Sequence, residues 1–230
     1  MSTDSSPVIE TPAPLNRQAV ALVGISVLAR LPLAMFSISL LICVRELTGS
    51  FALAGLASGA YIVGRGVSSP VLGRLVDRHG QPRVLVACAA ISAVLLATFA
   101  ALPAHLPAVL PVALSCAIGM ASPPLSACVR TLLPVIVGDS SALNTVYTLE
   151  TTALELTFIA GPPLALGLAA GISGRTPLLA GAILLLVTTA LFAAQPAARQ
   201  RRSHTDTPAT RAGTLYYPAV RTLLLILTAV

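Results

Sequence analysis

Six apolar runs follow one another along the chain, at 18–44, 52–72, 84–102, 108–129, 142–170 and 176–194. Each is close to or above the roughly 20 residues that a helix needs to cross a hydrocarbon core of about 30 Å. A water-soluble fold would have to coat these runs with polar side chains, yet 56 % of the 230 residues are hydrophobic and 10 % charged, far from the usual balance. Lipid is the solvent that suits such a chain. It also dictates the local structure, because backbone groups in hydrocarbon must be satisfied within the segment, which leaves helices. The expected fold class is therefore all-α, a polytopic transmembrane helix bundle.

The charges that remain are placed with a bias. All 14 basic residues are arginine and the net charge is +6. On a soluble chain this would suggest nucleic acid, but here the arginines lie mostly in short connections, where they act as a topology signal. Arg17 precedes the first span, Arg74, Arg78 and Arg83 separate the second and third, and Arg199, Arg201, Arg202 and Arg211 follow the sixth. The opposite side has only Arg45 and Arg175. The positive-inside rule then puts the N-terminus in the cytoplasm of a cell whose plasma membrane holds the protein. Residues 1–17, acidic at Asp4 and Glu10 and without a basic start, read as a disordered cytoplasmic tail and not a signal peptide. Residues 18–194 form the transmembrane domain, 195–217 a cytoplasmic linker, and 218–230 a seventh run too short to cross a bilayer. The four cysteines, Cys43, Cys88, Cys116 and Cys128, lie within apolar runs without metal-ligand spacing and read as small buried hydrophobes.

Charges inside the spans are more informative. Span one holds Arg30, span two Arg65, span four Arg130, and span five Glu150 and Glu155, whereas spans three and six hold none. Burying a charge in a bilayer is costly, so charged spans are expected to line the interior and bare ones to meet lipid. The order charged, charged, bare occurs twice. That suggests two three-helix repeats, the second inverted because the period is odd. Counting at 1.5 Å per residue from the cytoplasmic start of each span puts Arg30 roughly 18 Å deep, Glu150 roughly 12 Å and Glu155 roughly 20 Å. Either glutamate is within reach of Arg30; being about 140° apart on the helix, the two should not share one partner. Arg30, Glu150 and Glu155 are thus candidates for binding a polar substrate or exchanging protons, with a purely structural ion pair as the alternative. Arg65 and Arg130 are expected to snorkel or pair locally. Gly55, Gly59 and Gly64 in span two, and Pro123 and Pro124 in span four, are read as packing and bending positions.

Between spans two and three the chain reads Gly73-Arg74-Leu75-Val76-Asp77-Arg78-His79-Gly80-Gln81-Pro82-Arg83-Val84-Leu85. This resembles the cytoplasmic loop of the major facilitator superfamily, Gly-x-Leu-x-Asp-Arg-x-Gly-x-x-x followed by an apolar residue, in the position where that family carries it. Gly73, Leu75, Asp77, Arg78, Gly80 and Leu85 match in register; the basic residue often found after the second glycine is Gln81 here, and the nearest positive charge is Arg83. The resemblance implies a secondary transporter working by alternating access, with Gly73, Asp77, Arg78, Gly80 and Arg83 forming a cytoplasmic gate that contacts the other half of the molecule. Gly161-Pro162, with Gly167 downstream, is similar to the fifth-helix motif of antiporters in this superfamily, although the glycines upstream of it are missing. It implies proton-coupled efflux of drugs or metabolites.

An enzyme is not expected. His79, His105 and His204 fall in connections, and no His-Glu-x-x-His, Gly-x-Ser-x-Gly or phosphate-cradling glycine loop occurs. No cofactor is implied. The expected partners are membrane lipid, a small-molecule substrate and protons. A twelve-helix family further implies a C-terminal six-helix half, absent from this chain, and the alternative expectation is a fragment or membrane subunit that needs such a half or a partner chain.

Overall fold

The apolar runs fold as helices: α1 (Arg17–Thr48), α2 (Phe51–His79), α3 (Gln81–Ala100), α4 (Val109–Ala121), α5 (Leu125–Val137), α6 (Ser140–Gly171) and α7 (Thr176–Ala194). The computed structural model of the chain describes residues 17–103, 107–137 and 140–195, excepting the side chains of 17–23, 135–137 and 140–143. Among these residues there is no strand. The tail before Arg17, most of the linker, the run 218–230, His105 and His204 lie outside the described residues.

Among the described residues, five stretches are long and apolar enough to cross a bilayer: Gly24–Thr48, Gln81–Ala100, Val109–Pro134, Asn144–Gly171 and Thr176–Ala194. The second expected span, α2, is 29 residues long, but Arg65 and the interspersed glycines and serines dilute its apolar content. Span four is one helix in the sequence reading and two in the structure. Ser122 is extended at φ −61° and ψ 127°, because a residue before proline is driven out of the helical region and neither Pro123 nor Pro124 can donate a hydrogen bond.

The connections between spans are tight. Gly49 at φ 69° ends α1, with its amide bonded to the Arg45 carbonyl at 2.8 Å, and Ser50 caps α2 by accepting from the Leu53 amide at 3.3 Å. The connection expected at 73–83 is shorter than the sequence reading has it. Buried Val76 holds α2 helical through His79, and the whole turn is Gly80, at φ 85°, with Pro82 in the first turn of α3.

α1 packs on α2, α6 and α7; α2 packs on α4; α3 packs on α4 and α7; and α5 packs on α1 and α6. With α4 and α5 taken as one span, exchanging spans one to three for spans four to six carries the α1–α6 contact onto α4–α2 and returns α3–α7 to itself. That is the contact pattern of two inverted three-helix repeats. Small residues set the closest crossings: a Cβ at Gly64 would strike the Cys116 carbonyl oxygen, one at Gly119 the Tyr61 carbonyl oxygen, and one at Gly161 would lie 2.8 Å from the Ala34 Cβ. Gly55, Gly59, Gly73 and Gly167 meet nothing within 4 Å among the described residues. The bare spans turn apolar side chains outward, Ile91 and Val94 on α3 and Ile183, Val187 and Leu191 on α7.

Candidate functional site

One narrow face of α6 is buried. Val146, Glu150, Thr157, Gly161 and Ala165 recur at helical spacing along it and meet α1. On α1, Arg30 meets Glu150 and Ala34 meets Gly161, and the buried residues around them include Ser26, Ala29 and Leu33, all at most 3 % exposed. Helical periodicity therefore drives one arginine and one glutamate into the same apolar seam. Arg30 Nη1 lies 2.8 Å from Glu150 Oε1, with the side chains 3 % and 1 % exposed.

A second arginine reaches the same carboxylate. Arg130 Nε on α5 is 3.7 Å from Glu150 Oε2, and its side chain is 58 % exposed. Glu150 thus sits between a buried guanidinium and an open one. The Arg30–Glu150 contact is direct, and Nε and Nη2 of Arg30 have no hydrogen-bond partner among the described residues. The Arg30 guanidinium also feels the positive charges of Arg130 and Arg65. Nearby, buried Tyr61 directs its hydroxyl to the Leu33 carbonyl at 3.4 Å and sets its ring edge-on to Phe36, with centroids 6.5 Å apart.

Of the two glutamates, Glu150 meets Arg30. Glu155 is exposed and has no ion pair among the described residues. It belongs to an outward stripe on α6, Thr145, Thr148, Thr152 and Glu155, which turns apolar at Ile159 and Leu166. Gly161 is the α1 crossing point, and Pro162 continues inside α6 without breaking it. Gly73 is half-buried, while Asp77, Arg78 and Arg83 are exposed and without an ion pair among the described residues.

Gln81, where the loop departs from the superfamily pattern, is buried and donates from Nε2 to Thr131 Oγ1 at 3.0 Å. The neighbour of Thr131 is Arg130, so α5 touches both the α2–α3 turn and Glu150. Arg130 was not among the expected site residues. Its depth from the end of α5 it shares with α6 was readable from the sequence; the bend that turns α5 toward α6 was not.

Among the described residues, seven helices in two inverted repeats, largely apolar outside and ionic at the α1–α5–α6 seam, define a polytopic membrane protein with a buried charge pair. Residues 22–229 match the family described as Major Facilitator Superfamily, and the chain belongs to that family, which consists of transporters and not enzymes. Comparison with curated proteins found no match, and neither did comparison with solved structures.

Proposed function

We propose that the chain moves a small solute by alternating access, with Arg30 and Glu150 as its substrate-binding or coupling centre. The observation that carries this reading is the buried Arg30–Glu150 pair with the exposed Arg130 beside it. A structural ion pair gains most when every donor and acceptor is satisfied, and this one leaves Nε and Nη2 of Arg30 without a partner among the described residues in a medium where that is expensive. A group held in this way can exchange partners, as a transport cycle requires. Protonation of Glu150 would release Arg30, which makes a proton the natural coupling ion. Gly161-Pro162 supports efflux as the direction, and the distribution of arginines supports a plasma-membrane protein with its N-terminus in the cytoplasm.

In this reading Asp77, Arg78 and Arg83, on the Gly80 turn, close the cytoplasmic side. Two measurements in proteoliposomes test it. Glu150→Gln is expected to abolish flux driven by a pH gradient, and Asp77→Ala to slow it; unchanged flux in the first would remove the coupling role, and in the second the gate.

One observation favours a second reading, in which the chain needs a cover. Arg130, Glu155 and three threonines face outward from α5 and α6, and such a polar strip is poorly matched to acyl chains. A further six-helix half or a partner chain would shield it. Chemical cross-linking from Glu155→Cys separates the two: capture of protein supports the cover, whereas labelling by lipid-soluble reagents alone contradicts it.

A further inference from the structure

The charges around the seam do not balance. Arg30 and Arg130 share a single carboxylate, Glu150, Arg65 adds positive charge that acts on Arg30, and Glu155 lies about 140° away around α6. Guanidinium groups bring donors in a planar fork, which fits carboxylate and phosphate oxygens and little else. Arg30, almost wholly buried, spends Nη1 on Glu150 and has Nε and Nη2 without a partner among the described residues. Arg130, open at the rim and within 3.7 Å of Glu150, gives an incoming group its first contact.

We infer that the site selects an oxyanion, a small solute bearing a carboxylate or phosphate that binds between Arg30 and Arg130 in place of the Glu150 carboxylate. The inference rests on the reading of Arg30 and Glu150 as the substrate site. Glu150 acts as an internal stand-in. When it is protonated or turned aside, Arg30 from α1 and Arg130 from α5 are left facing a vacancy of anionic shape, with Arg65 on α2 adding to the field. Uptake of one proton with one monoanion leaves the net charge of the site unchanged, so neither event has to bury an uncompensated charge.

The test uses the full chain in lipid nanodiscs and four probes: benzoate, inorganic phosphate, the neutral isostere benzamide and the cation benzyltrimethylammonium. Benzoate and phosphate are expected to bind and the other two not. Arg130→Gln should weaken benzoate about tenfold, with partial recovery in Arg130→Lys, by loss of one charge-assisted contact. Glu150→Gln should tighten benzoate by a similar factor, because the internal competitor is gone. Tighter binding is the opposite of what a merely structural glutamate would give. Binding of benzyltrimethylammonium that Glu150→Gln abolishes would overturn the anion assignment while leaving the site in place. Benzoate binding unaltered by Arg30→Gln, Arg130→Gln and Glu150→Gln would overturn both, and binding of none of the four at millimolar concentration would overturn the inference.

Discussion

Replacing Glu150 by methionine isolates the energetics of the seam. At the 2.8 Å separation of Arg30 and Glu150, Coulomb attraction at an effective dielectric constant near 20 is about 6 kcal/mol, most of which offsets desolvation. Glu150→Met leaves Arg30 buried without its countercharge, which costs about 3–5 kcal/mol. For a chain of this size, about 2–4 °C per kcal/mol translates that into a midpoint lowered by ~6–20 °C. The double variant Arg30→Met/Glu150→Met removes both charges and fills the seam with apolar volume, so it should regain most of the loss. The assay is thermal unfolding of the detergent-solubilised chain, followed by the fraction that stays monodisperse, for the wild type, both single variants and the double. The coupling energy from that cycle is expected to exceed about 2 kcal/mol. A Glu150→Met midpoint within ~2 °C of the wild type, or a double variant no better than the singles, would refute the premise that this pair is buried and interdependent.

Other expectations follow from individual contacts. Gly119→Ala, whose Cβ would strike the Tyr61 carbonyl, should destabilise by about 1–3 kcal/mol, whereas Gly55→Ala, with nothing within 4 Å, should stabilise by about 0.5–1 kcal/mol; paired melting curves check both. Thr131→Val removes the acceptor of Gln81 and should cost about 1–3 kcal/mol, since it strands a buried amide; Gln81→Leu combined with it should recover part of this loss. In a background without the four native cysteines, single cysteines at Thr148, Thr152 and Glu155 should react with a membrane-impermeant maleimide faster than those at Ile183 and Val187, and equal rates would contradict the polarity of the α6 stripe.

What the sequence determined by itself was everything that depends on local solvation. Run length and apolarity imposed helices, because a backbone in hydrocarbon has no other way to satisfy its hydrogen bonds. Positions counted from the same end of the bundle made a pairing of Arg30 with a span-five glutamate foreseeable without saying which; the bare third and sixth spans do present apolar side chains outward, but α6, which carries both glutamates, is less buried than either. The tertiary structure decided what local chemistry leaves degenerate. Two Pro-Pro pairs occur in the spans: Pro123-Pro124 breaks its helix and Pro162-Pro163 does not, a difference that arises because α4 must meet α2 and α3 whereas α5 must swing to α1 and α6. Which glutamate meets Arg30 was settled in the same way. Glu150 and Glu155 are chemically identical, and only the rotation of α6 about its axis, fixed where Gly161 seats against Ala34, turns one into the seam and the other out.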